Sequence, residues 1–199
     1  MRRLSSLAAV SLCLTLPLAV ASAQTTPGAP TVGPSGRALA AVCRANSCRA
    51  TDPNTLDFYI EYGQPHARGR TVAGGLIPLD SVWRLGANPA THLTVKSGLM
   101  LGGQHVPAGT YTLGLIYSKS GSKLIINKAT GQWGVPYDAS RVATELARVP
   151  IRVRELREPM ESLSIALVPK MATGAANTST GVMTITWGTL EFAIDWQVH

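Results

Sequence analysis

Apolar and polar side chains alternate with a period of two residues in one short segment after another from Thr55 onward. In the first such segment Leu56, Phe58 and Ile60 occupy one set of positions, and polar or aromatic side chains occupy the other. This alternation is typical of a strand with one buried face. Helical periodicity is scarce along the same part of the chain, so the pattern predicts an all-β domain.

Turn signals rich in glycine and proline separate these segments. Gly102-Gly103 predicts a two-residue hairpin, residues 106–110 (VPAGT) predict a second turn, and Gly188-Thr189 predicts a two-residue loop between two closing strands. Many short strands with turns between them indicate an antiparallel β-sandwich of about eight or nine strands. A flattened β-barrel is the alternative. Further alternating segments occur at residues 91–96, 111–117, 123–127, 149–153 and 163–167.

The N-terminus has the three parts of a secretory signal peptide. Arg2 and Arg3 are followed by an almost uncharged apolar stretch, and Ala21-Ser22-Ala23 supplies the small residues at which a signal peptidase cuts. The sequence therefore predicts that residues 1–23 are removed near Ala23 and that the protein is periplasmic or secreted. No later apolar run is long enough to span a bilayer, so we expect no transmembrane segment after cleavage.

The domain organisation follows from a change in composition. Residues 24–54 form a linker and N-terminal extension, which begins with a run rich in Thr, Pro and Gly and continues with residues 37–44, which could form one or two helical turns. Residues 55–199 form the β-sandwich domain. Cys43 and Cys48 lie in the extension, and in an oxidising compartment such a pair predicts a short-loop disulfide rather than free thiols.

Several functional classes are disfavoured by the sequence. The formal net charge of +7 comes from scattered basic residues without interleaved aromatics, so no nucleic-acid partner is expected. The nucleophile elbow, the P-loop and the His-Glu-x-x-His motif are all missing from the sequence. The histidines share no metal-ligand spacing, and no cofactor or metal is predicted. Glu61 with Asp57 or Asp80 could make a paired-carboxylate hydrolase, but nothing in the sequence fixes their separation.

The best candidate for a binding site is a short stretch that contains Arg70, Trp83, Arg84 and Asn88. A guanidinium fork beside an amide and an indole face can recognise a carboxylate, a phosphate or a sugar. The alternative is that the two arginines tie loops to backbone carbonyls while Trp83 fills the core. Both interpretations stay open at this level.

A series of short motifs in this region resembles a secreted bacterial family catalogued as domain of unknown function 2911. The resemblance covers the chain from about Thr55 to the C-terminus and implies an exported, mostly β domain without an established activity. The motifs are Tyr62-Gly-Gln-Pro65, Arg68-Gly-Arg70, Gly75-Leu-Ile-Pro78, Val82-Trp-Arg84, Gly86-Ala-Asn88, Thr91, Val106-Pro-Ala-Gly-Thr-Tyr111, Ile126-Asn-Lys128, Trp133-Gly134 and Tyr137-Asp138.

The sequence favours a non-enzymatic binding module whose partner is a small molecule, a glycan or an envelope protein. A hydrolase-like enzyme with a site assembled from loops is one alternative, and it would need a pocket with a carboxylate or histidine of perturbed pKa. A purely structural domain associated with the cell envelope is the other alternative.

Overall fold

A computed structural model describes residues 33–44 and 55–199 of the chain. The predicted signal peptide, Cys48 and much of the predicted linker lie outside the described residues, so the Cys43–Cys48 disulfide stays a prediction. The described residues contain nine strands and one short helix. These are β1 (Gly36–Cys43), β2 (Leu56–Gln64), β3 (Val82–Trp83), β4 (Thr91–Leu101), β5 (Gln104–Ile116), β6 (Lys123–Asn127), α1 (Ala139–Val142), β7 (Glu145–Pro150), β8 (Arg152–Pro169) and β9 (Thr180–Val198).

The nine strands form one antiparallel sheet that folds over on itself. Six of them run side by side in the order β1-β2-β4-β5-β6-β7, with β3 paired to β5. The hairpin of β8 and β9 is attached through β4 and lies across the face of the six. The sheet stays open, so the predicted antiparallel sandwich is confirmed and the barrel alternative is not adopted. No helix in the described part of the chain is long and apolar enough to cross a membrane.

Aromatic side chains of β9 connect the two layers of the sandwich. Trp187 stacks on Trp83 with ring centroids 5.7 Å apart, and Trp196 meets Phe58 edge to face at 5.2 Å. Phe192 meets Tyr117 edge to face at 5.8 Å. Fully burying a large apolar side chain contributes about 1.5 to 3 kcal/mol, so these contacts account for much of the cohesion between the layers.

The predicted hairpin at Gly188-Thr189 is wrong, because β9 continues through both residues as one strand. Odd-numbered residues are buried from Gly181 to Trp187, whereas even-numbered residues are buried from Leu190 to Trp196. Gly188 has a φ of +57° at the point where the pattern changes. An irregular residue in a strand shifts the alternation of buried and exposed side chains by one position. The sequence pattern therefore predicts two strands joined by a turn, although the chain forms one strand.

The turn predicted at residues 106–110 is also wrong, since β5 runs through it. Opposite it, the register between β4 and β5 shifts between Val95 and Gly98, which pair with Gly109 and Pro107. This bulge accommodates a proline inside a paired strand. The hairpin at Gly102-Gly103 is confirmed: both glycines have positive φ and they join β4 to β5.

Residues 36–43 form a strand rather than the predicted helical turns. β1 pairs with β2 from Gly36 opposite Gln64 to Cys43 opposite Leu56. The predicted boundary at residue 55 therefore separates two strands that the structure places side by side. Four of the eight side chains of β1 are small (Gly36, Ala38, Ala40 and Ala41) and give little periodic signal, so local sequence could not distinguish a strand from a helix here.

Gly188→Ala should destabilise the domain by about 2 to 4 kcal/mol, from left-handed backbone strain together with overpacking. A Cβ at this position would lie 2.6 Å from Cβ of Val72. Gly174→Ala is the matched control, because Gly174 also has a positive φ but a Cβ there meets nothing within 4 Å. Urea denaturation measures both. Equal losses for the two variants would show that the contact with Val72 does not matter.

Candidate functional site

The four residues predicted as a binding site line one cavity of about 530 Å³. We call it the arginine cavity. Its volume falls within the range of small-molecule pockets. It is built from the segment before β1, the loop after β2, β3 with the loop that follows it, the loop after β6, and Trp187 of β9. Its wall consists of Pro34, Ser35, Pro65, His66, Arg68, Arg70, Leu76, Pro78, Val82, Trp83, Arg84, Gly86, Ala87, Asn88, Val135 and Trp187.

Two stacked indoles form the apolar part of the wall. Trp83 is held on β3 by pairing with Leu115 of β5, and Trp187 of β9 packs against it with an interplanar angle of 21°. The indole nitrogen of Trp187 donates to the carbonyl of Glu161 at 3.1 Å. Because both rings are buried and fixed in this way, they give the cavity wall a rigid apolar surface.

The loop from Leu85 to Asn88 turns sharply beside the indoles. Leu85 and Asn88 have φ values of +58° and +62°, which are uncommon for residues other than glycine and tend to occur at functional sites. The Thr91 hydroxyl holds the loop by donating to the Leu85 carbonyl at 2.7 Å. Within the described chain the side-chain amide of Asn88 makes no hydrogen bond, so it is available to a ligand.

Gly63, at the end of β2, allows the same loop to approach the sheet. The amide of Ala87 donates to the Gly63 carbonyl at 3.1 Å. A Cβ on Gly63 would lie 1.9 Å from the Ala87 carbonyl oxygen, so no side chain fits there. The position of the loop relative to the strand is therefore fixed by contact between two backbones.

Arg84 presents most of its guanidinium to the cavity. Its Nε donates to the Gly86 carbonyl at 3.3 Å, and neither terminal nitrogen has a partner among residues 33–44 and 55–199. Gly134 packs behind its stem, where a Cβ would lie 2.9 Å from Cβ of Arg84. The stem and Nε of Arg84 are thus held in place, while its two terminal nitrogens have no partner among the described residues.

Arg70 and Arg68 are used to hold loops. Arg70 donates from Nε to the Ala67 carbonyl at 2.9 Å and from a terminal nitrogen to the His66 carbonyl at 2.8 Å. Arg68 donates to the Pro34 carbonyl at 2.7 Å. The loop-tying interpretation therefore describes Arg70, whereas Arg84 combines one such bond with terminal nitrogens that have no partner among the described residues.

The charge on the cavity wall is uniformly positive. Its charged members are Arg68, Arg70 and Arg84, and no Asp or Glu belongs to the wall. None of the three takes part in an ion pair within the described part of the chain. The same part contains no group of three or more His, Cys, Asp or Glu residues that could hold a metal ion.

A histidine–serine contact lies at the edge of the cavity, and no motif in the sequence predicts it. Nδ1 of His66 lies 2.7 Å from the hydroxyl of Ser162, which β8 brings opposite it. No carboxylate bonds to the imidazole in the described residues, so the orienting member of a catalytic triad has no counterpart. The carboxylates considered for a hydrolase are elsewhere: Asp57 pairs with Arg44, and Asp80 accepts from Ser118.

A buried polar network supports the loop that carries Gly134 and Val135. Asn127 is almost fully buried; its amide donates to Tyr137 at 3.0 Å and its oxygen accepts from Thr144 at 2.8 Å. The Tyr137 hydroxyl donates in turn to Glu145 at 2.8 Å, which Arg148 holds through two bonds. Burial is the main cause that raises the pKa of Tyr137 to about 12.

Comparison with known proteins gives a match to a protein family. The model of the family described as Protein of unknown function (DUF2911) matches residues 45–195. No curated protein and no solved structure matches the chain.

Arg70→Ala should lower the free energy of unfolding by about 1 kcal/mol, the net value of partly exposed hydrogen bonds to two carbonyls. Arg157→Ala removes an exposed arginine that has no hydrogen bond or ion pair in the described chain, and it should change stability by less than about 0.5 kcal/mol. Chemical denaturation of both variants measures the difference. If Arg70→Ala is as stable as Arg157→Ala, the loop-tying role of Arg70 is wrong.

Raising the pH above 10 should destabilise the wild-type protein more than Tyr137→Phe. The raised pKa means that the folded state keeps the tyrosine proton after the unfolded state has lost it. The stability linked to this proton is present below pH 10 and is lost as the pH rises towards 12. Urea midpoints between pH 9 and 11.5 measure the effect. Parallel pH profiles for the two proteins would contradict it.

Proposed function

The chain belongs to the family described as Protein of unknown function (DUF2911), and we propose that it is a non-enzymatic domain that binds a small ligand in the arginine cavity. We further propose that it does so in the periplasm or outside the cell. The charged start, apolar stretch and small residues up to Ala23 support this location.

The observation that carries the proposal is unused hydrogen-bonding capacity inside the cavity. The terminal nitrogens of Arg84 and the amide of Asn88 have no partner among the described residues, and both belong to the cavity wall. A few convergent polar groups beside rigid apolar surface are the usual composition of a small-molecule site. A ligand would satisfy these donors at little cost in ordering, because the loop backbone and the stem of Arg84 are already held.

A small molecule is favoured over a glycan or a protein partner because of where the aromatic rings lie. Trp83 and Trp187 are buried beneath the cavity rather than displayed on a flat surface. They can contact a ligand that enters the cavity, but two rings that are buried and stacked on each other do not form an exposed stacking platform for a sugar.

An enzymatic role has less support. His66 and Ser162 are in contact, but the imidazole lacks an orienting carboxylate in the described residues, and Ser162 does not belong to the cavity wall. A ligand in the cavity would therefore meet hydrogen-bond donors and apolar surface rather than an activated nucleophile.

Asn88→Gly should weaken ligand binding about fivefold, the value of roughly 1 kcal/mol for one hydrogen bond. Glycine adopts the backbone conformation of Asn88 without strain, so only the amide is lost. Asp80→Gly is the matched control: Asp80 also has a positive φ, at +55°, and lies outside the cavity wall.

A thermal-shift screen of the purified protein against sugars, organic acids and nucleotides would first identify a ligand, and calorimetry would then measure the two variants. A ligand at 100 times its dissociation constant stabilises the folded state by about 2.7 kcal/mol, which such a screen detects. A screen without hits, or a hit that both variants bind equally, would contradict the proposal.

A further inference from the structure

We infer that the ligand of the arginine cavity is a small organic oxyanion, with a carboxylate or phosphate group attached to an apolar body. This inference rests on the proposed ligand-binding function and adds the chemical class of the ligand. It follows from three features of the cavity: its unneutralised charge, the open end of Arg84, and the apolar wall beside it.

Three arginines lie together on the wall of the cavity, and none of them forms an ion pair within the described part of the chain. Outside the cavity, Arg148, Arg152 and Arg154 each form an ion pair with a carboxylate. No Asp or Glu belongs to the cavity wall, and the carboxylate that the described chain places against it, Glu161, accepts from the backbone amide of Arg68 at 2.8 Å rather than from a guanidinium. Placing positive charges around a concave, partly apolar site raises the local concentration of anions. A ligand with a negative group would supply the missing counter-charge.

Arg84 is the residue whose geometry best suits an oxyanion. A guanidinium presents its donors as a planar fork that matches two oxygens of a carboxylate or phosphate. The Nε of Arg84 is used on the Gly86 carbonyl, and Gly134 packs behind the stem. The fork is therefore directed by contacts on two sides before any ligand arrives. The amide of Asn88 adds one more donor at the same wall.

The rest of the wall suits the uncharged part of such a ligand. Leu76, Val82 and Val135 line it together with Trp83 and Trp187. A free inorganic anion would leave this apolar surface in contact with water, whereas an organic body would cover it. The geometry thus points to an anion with an apolar substituent rather than to an inorganic ion.

Calorimetry with matched probes tests the inference. Phenylacetate and phenyl phosphate carry the two anionic groups, and phenylacetamide is the neutral counterpart. Each probe is titrated into wild type, Arg84→Gln and Arg157→Gln. The last variant removes the same charge from an exposed position outside the cavity wall, so it corrects for the general loss of positive charge.

We expect at least one anion to bind about tenfold or more tightly than phenylacetamide, and Arg84→Gln to remove about tenfold of that affinity. Arg157→Gln should change the affinity less than about twofold. The tighter of the two anions distinguishes a carboxylate ligand from a phosphate ligand.

A second pair of variants keeps every arginine, so it tests the inference even if Arg84→Gln does not fold. Val135→Asp places a carboxylate at the cavity, and Val142→Asp places one on α1, where the valine is similarly exposed at 47% against 40%. The first should weaken anion binding severalfold and leave phenylacetamide unchanged. The second should change the binding of neither the anions nor phenylacetamide.

Two results would overturn the inference. One is that phenylacetamide binds as tightly as the anions; the other is that the anions do not bind while neutral ligands of the thermal-shift screen do. In both cases the ligand-binding function survives and only the chemical class is wrong. If no probe and no member of the screen binds, the proposed function itself fails.

Discussion

The packing of β9 across the six-stranded part of the sheet is the interaction on which the rest of the structure depends. Its aromatic side chains contact β2 through Phe58, β3 through Trp83, and the residue after β5, Tyr117. β3 has only two residues and one partner strand, so burial of its indole against Trp187 compensates for the few hydrogen bonds that hold it. The loop that carries Arg84 and Asn88 follows β3 directly, and its position therefore depends on the same packing.

The sandwich could be predicted from sequence wherever one physical rule decided the outcome. Alternation predicted β2 and β6, and two consecutive glycines predicted the β4–β5 hairpin because its two-residue loop has positive φ at both positions. The errors came where tertiary contact overrode local signals. Gly188-Thr189 is a typical turn sequence, but Val72 packs against Gly188 and β8 pairs on both sides of it, so the chain continues as one strand.

In the candidate site too, local sequence predicted some residues, and long-range contacts brought in the others. Arg70, Trp83, Arg84 and Asn88 lie close together in sequence and are chemically distinctive, so they could be selected before the fold was known. His66 lies near them in sequence, but its partner could not be predicted because Ser162 belongs to a strand far along the chain. Trp187 belongs to β9 and Val135 to the loop after β6, and both line the cavity. Local sequence patterns do not predict contacts between segments so far apart in the chain.

The order of the strands along the chain has a consequence for how the domain is made. β9 follows all the other strands, yet its aromatic partners belong to segments made much earlier. Loop-closure entropy must be overcome before such distant contacts form, so folding should be slow compared with that of a helical protein of the same size. On a ribosome, the apolar face of the early strands stays uncovered until β9 emerges. Holdase chaperones that bind exposed apolar segments would have that whole interval in which to engage the nascent chain.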